Sequence, residues 1–143
     1  MNKKGFTLIE LLVVIAIIGL LSTLAVVALG QARVKARDSK RLSDLKQIQT
    51  ALELYYTDNS AYPAGSAVTL GSTNYACLNA DGFAVSGCTS PYMGLVPADP
   101  GSNAYTYTSA SSSYTITAQL EGEMSGFNED TGISLTPNGL TQL

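Results

Sequence analysis

Between Phe6 and Gly30 the only charged residue is a glutamate, and from Leu11 to Leu21 every residue is apolar or glycine. A small domain has no core large enough to take up a run of this length. As a helix of about 24 residues it reaches ~36 Å, enough to cross the hydrocarbon core of a bilayer. The rest of the fold must therefore be built from the residues that follow.

Glu10 breaks the apolar run. A charged group at the centre of a membrane helix costs about 2.5–3.5 kcal/mol and usually marks function. Glu10 lies only ~6 Å along the helix from Phe6, close to the interface, where the cost is smaller. No Lys or Arg occurs between Lys4 and Arg33, so its partner cation must come from outside the segment. A cut between Gly5 and Phe6 creates an α-amine at suitable depth. The amine of a neighbouring copy shifted along the axis can meet Glu10 where charge attraction is weakly screened. That pairing favours polymerisation.

The residues Lys3-Lys4-Gly5-Phe6-Thr7-Leu8-Ile9-Glu10, followed by the apolar run, resemble the prepilin signal of type IV pilins and type II secretion pseudopilins. The resemblance implies a membrane prepilin peptidase that cuts after Gly5 and N-methylates Phe6. It also implies a registration role for Glu10, an inner-membrane assembly platform and a homopolymeric filament. A secretory signal peptide would begin with similar lysines, and Ala28-Leu29-Gly30 or Gly30-Gln31-Ala32 offers small residues for cleavage. Its apolar core would be about twice the usual length and would contain Glu10. A plain uncleaved anchor leaves Glu10 without a use. Lys3 and Lys4 precede the span while Arg33, Lys35, Arg37, Lys40 and Arg41 follow it, which the positive-inside rule reads as N-terminus out. The resemblance implies the opposite orientation, and we follow it because the cleavage motif is specific.

With residues 1–5 as leader and 6–30 as the spanning and assembly helix, a head of modest size remains in a chain of 143 residues. The apolar pattern continues past Gly30: Leu42, Leu45, Ile48, Leu52 and Tyr55 recur at three or four residues and form one stripe. Residues 31–57 are thus expected to be the amphipathic half of one helix running from about Thr7 to about Thr57. Lys40, Asp44, Lys46 and Gln47 fall on its other faces, and the basic cluster Arg33 to Arg41 reads as a solvated or subunit-contacting face. Asp58-Asn59-Ser60 and Tyr62-Pro63 mark the helix end. The phrase ALELYYTDNSAYP resembles the helix end of major pseudopilins and short pilins.

Residues 58–143 form the head, with a loop region over 58–103 and a sheet over 104–143. One short strand is expected near Ala67 to Leu70. Cys77 and Cys88 do not have zinc spacing, and the chain has no histidine. In an exported head a disulfide is their expected use, worth ~3 kcal/mol by chain entropy. Free buried thiols are the alternative. Tyr105 and Tyr107 alternate with threonines, then Tyr114, Ile116, Ala118 and Leu120 alternate again, giving two antiparallel strands. A third is expected near Thr131 to Thr136, with Pro137-Asn138-Gly139 as a turn. The approach Pro97-Ala98-Asp99-Pro100-Gly101 resembles the Asp-Pro-Trp-Gly step of major pseudopilins without its tryptophan.

All eight Lys and Arg lie at or before Lys46, while eight carboxylates follow it, so the head is acidic and disfavours unspecific attraction to nucleic acid. Major pseudopilins carry a calcium loop near the C-terminus, for which Glu121, Glu123, Glu129 and Asp130 are the oxygen donors on offer. No Asp-Gly step or EF-hand spacing accompanies them, so solvated acidic turn residues are the expectation, with calcium left open. No nucleophile elbow, phosphate loop or histidine base is present, and no enzyme is expected.

The expected fold is α+β and type IV pilin-like: a long N-terminal helix, membrane-spanning in its first half, packed on a three- to four-stranded antiparallel sheet. The expected function is a structural subunit of a type IV pilus-like filament serving adhesion, motility or DNA uptake. The alternative is a major pseudopilin of a type II secretion system. A membrane-anchored binding protein that never polymerises is a third reading. The chain would sit in the membrane as a single-pass protein before assembly, then in an extracellular filament, or a periplasmic one for a pseudopilus.

Overall fold

A computed structural model describes residues 5–85, 87–124, 126–128 and 131–143. Lys3 and Lys4 of the leader, and Glu129 and Asp130 of the acidic segment, lie outside the described residues. The chain divides into two compact units, Met1–Val34 and Lys35–Leu143, and helix α1 (Leu8–Asn59) runs through both.

In the first unit every described side chain from Gly5 to Arg33 is exposed. The large apolar residues between Phe6 and Leu29 are 44% exposed at Val14 and 78% at Phe6. A contiguous apolar surface of this extent on one chain marks a membrane or subunit interface. α1 is the one described helix long and apolar enough to cross a membrane.

In the second unit the stripe read from the sequence faces the core. Leu45, Ile48, Leu52 and Tyr55 are buried, joined by Ala51, while Leu42 is half-buried at the margin. Burying each such Leu or Ile contributes about 1.5–3 kcal/mol relative to exposure. The helix stops after Asn59. The Asn59 side-chain amide donates to the Tyr55 carbonyl, and the Ser60 N–H donates to the Tyr56 carbonyl with Ser60 at φ 56°, closing the last turn as a glycine usually does.

The strands are β1 (Val68–Thr69), β2 (Cys77–Asn79), β3 (Gly82–Ala84), β4 (Thr106–Ala110), β5 (Ser113–Gln119), β6 (Gly132–Thr136) and β7 (Gly139–Gln142). Five of them form one sheet in the order β1-β4-β5-β6-β7, and β2 pairs with β3 apart from it. Every pairing is antiparallel, with Tyr107 opposite Ile116 and Ile116 opposite Leu135. Tyr105, Tyr107, Tyr114, Ile116, Ile133 and Leu135 project into the core shared with the helix stripe. The fold is thus pilin-like α+β.

The sheet has five strands rather than three or four. The added strand is β7, whose Gly-Leu-Thr-Gln carries a single apolar residue. It forms because the Pro137-Asn138 turn returns the chain along β6 and the backbone ladder is completed there. The loop region 58–103 also holds more structure than expected. β1 pairs with β4 near the anticipated place, and β2–β3 is a hairpin too short to show alternation.

Candidate functional site

Two groups of residues carry chemistry beyond packing. The first opens α1. Thr7-Leu8-Ile9-Glu10 forms a capping box: the Thr7 N–H and hydroxyl both donate to Glu10 Oε2 at 2.8 Å, and the Glu10 N–H donates to Thr7 Oγ1 at 3.3 Å. Two otherwise unpaired N–H groups at the helix start are thereby satisfied, that of Thr7 by the Glu10 carboxylate and that of Glu10 by the Thr7 hydroxyl oxygen. Among the described residues, no donor engages the other oxygen, Oε1, which is open to an incoming cation. Sequence reasoning singled out Glu10 but missed Thr7, although a threonine three residues before a glutamate and an apolar run is the signal for this box. Gly5, at the expected cleavage bond, is exposed, and a Cβ there would meet nothing within 4 Å.

The second group lies in the head, where α1 meets the segments flanking the sheet. The reading of Arg33 to Arg41 as a solvated or subunit-contacting face fails at Asp38 and Arg41, which are fully buried, and Asp44 beside them is 4% exposed. Arg41 faces Asp99 through two hydrogen bonds, Nε to Oδ2 at 2.6 Å and Nη2 to Oδ1 at 2.9 Å. Its Nη1 donates to Asp38 Oδ1 at 2.7 Å and its Nη2 lies 2.6 Å from Glu121 Oε1. Arg37 also pairs with Glu121, its Nε reaching both carboxylate oxygens at 3.0 and 3.1 Å. Asp38 in turn accepts the Glu121 and Gly122 backbone N–H groups, at 3.1 and 2.8 Å. Asp44 takes Lys40 Nζ at 3.1 Å and the Tyr105 hydroxyl at 3.1 Å.

The geometry fixes the charge states. Hydrogen bonds from Arg37, outweighing burial and reinforced by Arg41, hold the Glu121 carboxyl at about 2. Burial would raise the Asp99 carboxyl, but the Arg41 guanidinium and the Gly101 N–H bring it below its ordinary value. The Arg41 guanidinium is held charged by its bond to Asp99 against the opposing effect of burial. A Cβ at position 101 would lie 2.8 Å from Arg41 Nη2 and 3.2 Å from Asp99 Oδ1, so any larger residue there would have to displace the guanidinium.

The same contacts bear on calcium. Glu121 is not a solvated turn residue: both its oxygens are engaged by arginines. Glu123 is exposed, and Glu129 and Asp130 lie outside the described residues. Among the described residues no group of three or more His, Cys, Asp or Glu side chains is arranged to hold a metal ion. The described donors do not fit a calcium site.

Cys77 and Cys88 form a disulfide that closes the β2–β3 hairpin, with their Cα atoms 6.3 Å apart.

Comparison with known proteins follows the same division of the chain. Residues 1–26 match the prokaryotic N-terminal methylation motif, and residues 28–134 match the model of type II secretion system (T2SS), protein G. The chain is 33% identical to the type II secretion system core protein G of Vibrio cholerae over 141 residues, 94% of this chain and 90% of that protein. It is 36% identical to the protein of the same name from Escherichia coli over 114 residues, 73% of this chain and 70% of that one. With the Pectobacterium carotovorum protein it shares 42% identity over 63 residues, 44% of this chain, and there it spans 40% of the relative's length. No solved structure matches the chain.

Proposed function

Because the chain belongs to the type II secretion system protein G family, we propose that it is a major pseudopilin, the repeating subunit of a short periplasmic filament that drives protein export. The observation that carries this reading is the match over residues 28–134. The N-terminal motif is common to pilins and pseudopilins, so the head is what separates them. The balance therefore moves from the surface pilus of adhesion, motility or DNA uptake to the secretion filament. The role is structural rather than catalytic.

In this reading the subunit first rests in the inner membrane through residues 6–30, oriented with its head exported. A prepilin peptidase removes residues 1–5 and methylates the Phe6 amine, leaving a cation at the helix start. An assembly platform then lifts the subunit from the bilayer, and the exposed apolar helices of successive copies cover one another. Glu10 presents Oε1 to the Phe6 amine of a neighbour, while Thr7 keeps Oε2. An unpaired charge in that apolar environment is penalised, so only the register that joins the two is favoured.

Deleting the chain from its native cell should trap exported proteins in the periplasm and leave long surface fibres intact. Normal export with loss of surface fibres would overturn the proposal in favour of a pilus.

A further inference from the structure

Three segments meet at one side chain. Asp38 comes from α1, Asp99 from the stretch before β4 and Glu121 from just after β5, and their carboxylates converge on the Arg41 guanidinium. Side-chain exposure is 0% for Arg41, 1% for Asp38 and Asp99, and 28% for Glu121. Oxygen donors gathered from separate loops onto one point are how proteins hold hard divalent cations, which take about six to eight such oxygens. Here the oxygens lie at hydrogen-bond distance from nitrogen donors, 2.6 to 2.9 Å. A Cβ at position 101 would lie 2.8 Å from Arg41 Nη2 and 3.2 Å from both Asp99 Oδ1 and Glu121 Oε1, so the glycine lets the chain pass beside the cluster. Asp38 also holds the backbone of Glu121 and Gly122, so the chain after β5 is tied to the helix twice.

We propose that Arg41 is the resident structural cation of this head: its guanidinium supplies the positive charge on which the three carboxylates converge, and the head closes on α1 without added metal. The planar fork of arginine suits the role, since it meets Asp99 with two parallel bonds and still reaches Asp38 and Glu121. The cation is thereby supplied in fixed stoichiometry by the chain, and no change in external calcium can remove it.

The test is the melting temperature of the full chain in detergent, with millimolar calcium and with excess chelator. The expected result is the same melting temperature in both. A fall of about 5 °C or more on chelation would overturn the proposal. Arg41→Ala should melt about 10 °C or more below the parent chain, with part of the loss restored by millimolar guanidinium ion. A variant that melts with the parent would overturn it as well. Should Arg41→Ala fail to fold, the chelation experiment on the unaltered chain decides alone.

Discussion

Arg41 and Asp99, 58 positions apart in sequence, face each other through two hydrogen bonds of 2.6 and 2.9 Å in a site closed to water. Removing one partner of such a pair leaves the other buried and uncompensated, which costs about 3–5 kcal/mol. Asp99→Ala should destabilise the head by that amount in denaturant titration. A loss below about 1 kcal/mol would mean the pair is solvated in solution.

At the other end of the chain, Glu10→Ala should abolish filaments while the subunit still inserts in the membrane. Undiminished assembly, scored by electron microscopy and cross-linking, would remove the basis for registration. Thr7→Val deletes the hydroxyl that both gives and receives in the capping box and should weaken the helix start by about 1 kcal/mol. Filament yield from Thr7→Val should fall between the parent and Glu10→Ala, because the charge persists but its orientation is no longer fixed.

Acid should open the cluster in a defined window. The Glu121 carboxyl titrates at about 2 in the folded chain against an ordinary value of 4.5. A depressed value stabilises the fold above the unfolded value, and that stability is lost as pH falls through the folded one. Stability measured against pH should therefore decline from about 4.5 to about 2, and Glu121→Gln should flatten that part of the curve. An unchanged slope in Glu121→Gln would place the acid sensitivity elsewhere.

Tyr114 is 1% exposed, and its hydroxyl has no hydrogen-bond partner among the described residues. Its ring sits edge-on to Tyr62, with centroids 4.7 Å apart. Burying an unpaired hydroxyl is unfavourable, so Tyr114→Phe should be neutral or stabilise by up to about 1 kcal/mol. A loss above ~1 kcal/mol by calorimetry would reveal a bonded partner, such as an ordered water.

Opening the Cys77–Cys88 bridge by Cys88→Ser should cost about 3 kcal/mol, most of it through the freed hairpin region. Hydrogen exchange should rise over β2 and β3 and leave β5 and β6 protected. A uniform rise across the sheet would mean that the bridge supports the whole head.

Much of this architecture is written locally. Leu45, Ile48, Leu52 and Tyr55 announce the buried helix stripe because their spacing is helical, and Tyr114, Ile116 and Ala118 announce β5 because theirs is alternate. Lys3 to Glu10 carries the resemblance to a prepilin signal in eight consecutive residues, within the stretch 1–26 that matches the N-terminal methylation motif. The Arg41 cluster was not legible in the same way. Periodicity assigns a charged residue to the outside of a helix, and what places Arg41 inside is a pair of carboxylates supplied by Asp99 and Glu121 after the chain has turned back on itself. β7 escaped for a related reason: the ladder to β6, rather than its own side chains, defines it.

The confinement of every Lys and Arg to positions at or before Lys46 has a consequence for resistance to proteolysis. Trypsin-like proteases need a cationic side chain in their specificity pocket, and from Gln47 to Leu143 the chain offers none. Arg41 is sealed against Asp99 and out of a protease's reach. Tryptic digestion should therefore trim only the helix side of Lys46 and leave residues 47–143, with the seven described strands and the disulfide, as a single piece.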